Sequence, residues 1–308
     1  MSESEQKVAV VMLAGGPKPR MICDQVGMSL WDLPLQEDLD VGGAWSQVIQ
    51  EAGFEQLCQD LLVSASTSNV SSRVSTESLW NLQVETRAHR GTAGSIADWC
   101  LARKLDRRNA EWILLIEGSA SPAVDLSPFL PNIRGNCEFD AILGVSELDR
   151  HCGCMLVRRS SFERVPTLGF FDLKEQLLPV IRESGGRIGA EVIAERAVRI
   201  SDQLSWLQTL ALWRSTRRGR DPESPFASSD LKESLVMPSA TVEGAEIIHS
   251  IILDGAVIEP GAVIARSVVA PGVRVSANTI VSDVVLGIDR KSRVRRKRYG
   301  VGQKEIWR

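Results

Sequence analysis

The chain has 308 residues, 44% of them hydrophobic and 24% charged, with a formal net charge of −3. That length allows two domains with a sizeable core, and the mild negative charge argues against general attraction of the body to nucleic acid or to an anionic membrane. No apolar segment is long enough to span a bilayer, and the amino terminus lacks the basic-then-apolar layout of an export signal, so a cytoplasmic location is expected. The scattered cysteines, Cys23, Cys58, Cys100, Cys137, Cys152 and Cys154, are then expected as free thiols. His151-Cys152-Gly153-Cys154 offers soft ligands to a metal, but without a second ligand pair at a usual spacing a buried, reduced pair is the reading.

In chain order, Val8 to Met12 is apolar without alternation, as in a parallel strand buried on both faces. It runs into Leu13-Ala14-Gly15-Gly16, a turn without bulk at the carboxyl end of a strand, where open α/β sheets bind ligands. Pro17-Lys18-Pro19-Arg20 must be loop. The polar region to about Asp40 is expected to be irregular. Gly42 to Gly53 has helical apolar spacing, Leu61 to Ala65 reads as a second strand, and Leu82 to Thr86 reads as a third. In Gly91-Thr92-Ala93-Gly94-Ser95, small residues open a helix whose N–H groups either cradle an anion or are simply capped. Trp112 to Ile116 is the most apolar strand, expected at the centre of the sheet, and ends at Glu117-Gly118. Asp140 to Val145 and Gly153 to Val157 are further short strands, while Phe170 to Ile181 and Gln203 to Arg214 are amphipathic helices.

Composition then shifts to Arg, Ser, Pro and Gly through Asp230, a linker. Beyond it Ile251, Val257, Val263, Val269, Val275 and Val281 recur every sixth residue, with Gly255, Gly261 and Ser267 as small residues between them. That period fits neither helix nor two-sided strand and marks a parallel β-helix whose aliphatic residues point inward. The basic run Arg290 to Arg298 reads as a solvated or subunit-contacting tail rather than a nucleic-acid site.

Taken together, LAGG at 13–16, GTAG at 91–94, the WILLIEG strand end, FDLKEQLLP at 171–179 and the hexapeptide tail resemble the sugar-1-phosphate nucleotidyltransferases with a left-handed β-helix. The resemblance runs from Val8 to about Gly287. It implies an α/β fold with a Rossmann-like, GT-A-type mixed sheet and flanking helices over residues 1–214, a linker at 215–234, a short left-handed parallel β-helix at 235–287 and a basic tail at 288–308. It further implies NTP and sugar-1-phosphate as substrates, NDP-sugar and pyrophosphate as products, Mg²⁺ as cofactor, and a homo-oligomer joined through the β-helix. Leu13, Ala14, Gly15, Gly16, Gly91, Thr92, Ala93, Gly94 and Gly118 would hold the nucleotide, Lys18 and Arg20 the reacting phosphates, and Lys174 the sugar phosphate.

The sequence also departs from the family. Lys18 and Pro19 replace a flexible glycine and threonine, removing backbone donors from the phosphate loop. Where the family has a metal-binding aspartate after the strand-end glycine, Ser119 follows Gly118, and a hydroxyl is a poor ligand for a hard divalent ion. The second family aspartate falls in the region of Arg199-Ile200-Ser201-Asp202, where Asp202 alone is acidic, so Glu117 with Asp202 is the substitute metal pair. The alternative to a working transferase is a nucleotide- or sugar-binding regulatory or structural subunit of the same fold. An acyltransferase built on the β-helix is a weaker reading, since His249 is the tail's one histidine.

Overall fold

A computed structural model of the chain describes residues 7–14, 21–64, 80–106, 109–135, 137–217 and 234–287. The contacts divide it into two compact units that interleave in sequence, residues 1–17 with 41–199 and residues 18–40 with 200–308. The sequence reading gives one domain over 1–214, a linker at 215–234, a β-helix at 235–287 and a tail at 288–308; by contacts, residues 18–40 and 200–214 of that first domain group with the segment that carries the β-helix.

The first unit is built on a seven-stranded sheet. Its elements are β1 (Val8–Leu13), α2 (Val41–Glu51), β2 (Gln56–Val63), β3 (Asn81–Val84), α3 (Gly91–Ala102), β4 (Trp112–Glu117), α4 (Leu130–Arg134), β5 (Ala141–Ser146), β6 (His151–Arg158), α5 (Leu178–Glu183) and β7 (Ile188–Ala194). The helix α1 (Met21–Val26) belongs to the second unit. The strand order is β3-β2-β1-β4-β6-β5-β7. Pairing is parallel except around β6, which runs antiparallel to both β4 and β5, so the sheet is mixed.

The apolar run at 112–116 earns its central place: β4 is flanked by β1 and β6, and every residue from Trp112 to Ile116 is buried. Alternation sends Ile113 and Leu115 of β4, with Ala9 and Val11 of β1, into one core with Ile96 and Trp99 of α3 and Leu177 and Ile181 of the helix leading to β7. β2 starts at Gln56, five residues before its most apolar stretch. β7 escapes the sequence reading because three of its first five residues are only half-buried and two are exposed, leaving no clean period.

The second unit contains α1, the helix α6 (Gln203–Arg217) and ten short strands: β8 (Leu235–Val236), β9 (Thr241–Val242), β10 (Glu246–Ile248), β11 (Ile251–Ile252), β12 (Val257–Ile258), β13 (Val263–Ala265), β14 (Val268–Val269), β15 (Arg274–Val275), β16 (Ile280–Ser282) and β17 (Val285–Leu286). They stack in parallel into three sheets, β17-β14-β11-β8, β15-β12-β9 and β10-β13-β16. This is the β-helix expected from the hexads, with a correction to their phase. The interior residues are Ile247, Ile252, Ile258, Ile264, Val269, Val275 and Val281. Over 251–263 the aliphatic that enters the core is therefore the residue after the one the sixfold count selects. The cause is coil length: equivalent residues stand 17 apart, as in Ser250 and Ser267, so one side of each coil is a residue shorter than the other two. Serines line one corner as a ladder, with Ser250 N donating to Ser234 Oγ at 3.1 Å, Ser267 N to Ser250 Oγ at 3.1 Å and Val284 N to Ser267 Oγ at 3.2 Å.

The region to Asp40 is not merely irregular. Ile22, Val26, Leu30, Leu33 and Leu35 are all buried, α1 packs on β17, and Trp206 of α6 donates its indole N–H to the Pro34 carbonyl at 3.1 Å. No helix among the described residues is long and apolar enough to cross a membrane.

Candidate functional site

The carboxyl ends of β1 and β4 lie side by side. Gly118 N donates to the Leu13 carbonyl at 2.9 Å, and a Cβ on Gly118 would stand 2.8 Å from that oxygen and 3.3 Å from the Cα of Ala14. Only glycine lets these two strand ends close so tightly. Leu13, Ala14 and Gly118 are thus brought together; Gly15, Gly16, Lys18 and Arg20 lie outside the described residues, as do the basic run 290–298 and most of the linker.

The GTAG segment is the first turn of α3, and it is stitched to the segment that leads into α5. Phe171 N donates to the Arg90 carbonyl at 2.8 Å, Gly94 N to the Phe171 carbonyl at 3.1 Å and Leu173 N to Thr92 Oγ1 at 2.8 Å. Gly91 has φ +72° and its Cβ would fall 2.6 Å from the Phe171 oxygen. The Gly94 N–H is therefore spent inside the protein rather than turned toward a ligand. Buried Arg90 strengthens the seam, donating to Asp98 at 3.1 Å and to the Pro166 carbonyl at 2.8 Å, and also to the Gly169 carbonyl.

The seam sets the position of Lys174. Thr92 Oγ1 donates to Asp172 Oδ2 at 2.9 Å, while Asp172 Oδ1 accepts from Lys174 N at 2.8 Å and Glu175 N at 3.0 Å, capping a wide turn over Leu173–Leu177 that continues into α5. Burial pushes the Asp172 pKa up, but these hydrogen bonds outweigh it and the net shift is downward. Lys174 Nζ reaches Glu117 Oε1 at 2.6 Å.

Arg199 arrives from the other side. After β7 the chain runs back along the segment that follows β4: Asp125 N donates to the Ile193 carbonyl at 2.7 Å, Ser121 N to the Val198 carbonyl at 3.0 Å, and Ala120 and Arg199 form an antiparallel bridge. Trp45 of α2 fixes the same segment through its indole N–H on the Ala120 carbonyl at 3.3 Å. Arg199 consequently meets the second oxygen of Glu117, Oε2. Burial raises the pKa of Glu117, yet the hydrogen bonds from Arg199 and Lys174 hold it below the ordinary carboxylate value.

His151 completes the cluster from the start of β6, with Nδ1 at 3.7 Å from Glu117 Oε1. Its Nδ1 accepts the Gly153 N–H at 3.1 Å, so the neutral ring carries its proton on Nε2, which is buried without a partner. Burial first, and then Lys174, pushes the His151 pKa down to about 4. Cys152 and Cys154 on the same strand are buried thiols, the first raised by burial to about 11 and the second well above its ordinary value. Among the described residues no three His, Cys, Asp or Glu side chains gather as metal ligands.

Lys174 also borders an open groove of about 960 Å³ lined by Phe139, Leu143, Leu178, Arg182 and Arg187. Asp202, in the second unit, caps α6: its Oδ1 accepts from Ser205 N at 2.9 Å and from Ser205 Oγ at 2.7 Å, and the Ser205 backbone bond leads in lowering its pKa. The sequence reading names Glu117 and Lys174, weighs His151 only as a metal ligand beside Cys152 and Cys154, and misses Arg199 as a site residue. The isolated charge of Arg199 between Val198 and Ile200 is the only sequence signal for it.

A family model described as GlmU-like, C-terminal hexapeptide, matches residues 223–305. No curated protein matches the chain. Among solved structures, Rv0371c from Mycobacterium tuberculosis H37Rv is similar at 18% identity and a TM-score of 0.48, covering 68% of this chain and 99% of that one. Its homolog from Mycobacterium sp. strain JC1 gives 17% identity and a TM-score of 0.48 over 68% of this chain and 97% of that chain. A manganese complex of Rv0371c gives 17% identity and a TM-score of 0.45, over 67% and 98% respectively.

Proposed function

We propose that the first unit is a nucleotidyltransferase-type domain that holds a nucleotide or nucleotide sugar at the carboxyl ends of β1 and β4 as a binding subunit rather than turning it over. One observation carries this reading. Both oxygens of Glu117, the carboxylate at the strand end, are already taken by Lys174 and Arg199, and the next residue but one is Ser119. A hard divalent ion needs several free oxygens, and this set does not fit it. What the residues do supply is two cations against one carboxylate and a neutral imidazole, a net positive strand end suited to a phosphate. Glycine at 118 lets the ends of β1 and β4 close on each other beside these cations, and the groove beside Lys174, with Arg182 and Arg187 on its wall, has space for a ligand.

The test is a panel of nucleoside triphosphates, nucleotide sugars and sugar-1-phosphates titrated into the full chain, with pyrophosphate release followed in parallel. Saturable binding without pyrophosphate release is the expected result. Mg²⁺-dependent pyrophosphate release would overturn the reading and return the transferase. The β-helix is the part we assign to self-association, and light scattering that gives a monomer mass would remove that assignment.

A further inference from the structure

We propose that the positive charge a divalent ion would bring to this strand end is supplied by the chain itself, through Lys174 and Arg199, so that a phosphate group binds there without a metal. The inference rests on the binding reading above and specifies its chemistry.

Each Glu117 oxygen has its own cation, Lys174 Nζ at 2.6 Å on Oε1 and Arg199 Nη1 on Oε2. A metal at Glu117 would have to displace both cations and then sit between them, where like-charge repulsion opposes it. The other carboxylates that a metal could use are spent within their own units. Asp172 holds the Thr92 hydroxyl and two backbone N–H groups, and Asp202 holds the start of α6. Among the described residues, no group of His, Cys, Asp and Glu side chains therefore stands ready to complete a coordination shell around a bound ion.

An incoming phosphate meets the opposite situation. The side chains of Lys174 and Arg199 are 41% and 47% exposed, so each can swing its charged end from Glu117 to a ligand without being pulled from the core. The guanidinium fork can bind two phosphate oxygens at once, and the ammonium adds a compact charge beside it. Glu117 then acts as an internal competitor: it keeps the two cations in place when the site is empty and must yield them when a phosphate arrives.

That competition sets the test. Inorganic pyrophosphate and uridine triphosphate are titrated calorimetrically into the full chain, once with EDTA and once with Mg²⁺, for the wild type, Glu117→Gln, Lys174→Ala and Arg199→Ala. Thermal melts confirm that each variant is folded. The proposal expects binding that survives EDTA, is tightened about 3- to 10-fold by Glu117→Gln and is weakened about 10-fold or more by either cation deletion. Binding that requires Mg²⁺ and disappears in Glu117→Gln would overturn the metal-free site while leaving the binding reading intact. No binding of either probe under either condition, by folded protein, would overturn both.

Discussion

The strand-end cluster and the β-helix are held together in opposite ways. In the β-helix each coil repeats its predecessor: Ile247, Ile264 and Val281 occupy one row, Ile252 and Val269 another, Ile258 and Val275 a third. At the strand end Glu117, His151, Lys174 and Arg199 come from four separate stretches of chain, and each contact occurs once. Repetition distributes stability over equivalent neighbours, so a coil depends mostly on shape and apolar area. A unique cluster concentrates its behaviour in charge and in a few hydrogen bonds, and therefore answers to pH and to single atoms.

The largest expected effect tests the repetitive side. Ile264→Ala removes a fully buried side chain from the middle of its row and should cost about 2–5 kcal/mol in urea unfolding monitored on the second unit. A loss well under 1 kcal/mol would mean that neighbouring coils close the gap and that the rows are less tightly packed than described.

The next effect belongs to the cluster. His151 is depressed from 6.5 to about 4, so between those values the unfolded chain binds more protons than the folded one. The stabilisation is full above pH 6.5 and is lost as pH falls toward 4, amounting to about 3 kcal/mol in all. Glu117, whose pKa is lowered, acts with the same sign and loses its contribution at still lower pH. Melting temperatures followed from pH 7.5 to pH 4 should therefore fall in the wild type, and His151→Gln should flatten most of that slope. An unchanged slope in the variant would place the titration elsewhere.

A smaller effect is expected at the seam. Asp172→Ala removes the cap that holds Lys174 and should cost about 1 kcal/mol, with weaker pyrophosphate binding as the accompanying sign that the turn positions Lys174. Smallest of all is Arg266→Ala. The pair that Arg266 makes with Asp283, at 2.6 Å, lies on the β-helix surface with both side chains 56% exposed, and no change in the melt should be resolved. If Arg266→Ala proved as damaging as Ile264→Ala, surface charge rather than interior packing would be stabilising the coils.

What could be read beforehand follows the same division. The continuous apolar run at 112–116 has one physical solution, a strand covered on both faces, and the hexads have one as well, a stack. The missing residue per coil was invisible because Val269, Val275 and Val281 keep the sixfold count while Ile252, Ile258 and Ile264 sit one place later, and either row taken alone looks regular. The buried residues at 22–35 were hidden in a polar stretch whose apolar side chains meet α6 and the β-helix, over 160 residues away in sequence, as in the bond from Trp206 to Pro34. Arg199 was hidden for a different reason. Its role depends on the bridge to Ala120, a tertiary pairing that no local pattern announces. Glu117 and Lys174 were legible as strand-end and motif residues, but their pairing with each other was not.

The interleaving of the units also has a consequence for how the chain is made. Ile22, Val26, Leu30, Leu33 and Leu35 are synthesised well before α6 and the coil that ends at Gly287, which lies against the backbone of Gln25. At typical elongation rates the early segment waits roughly 10–50 s for its partners. During that interval its apolar side chains are without their native cover, and the second unit cannot close until its final described coil is made.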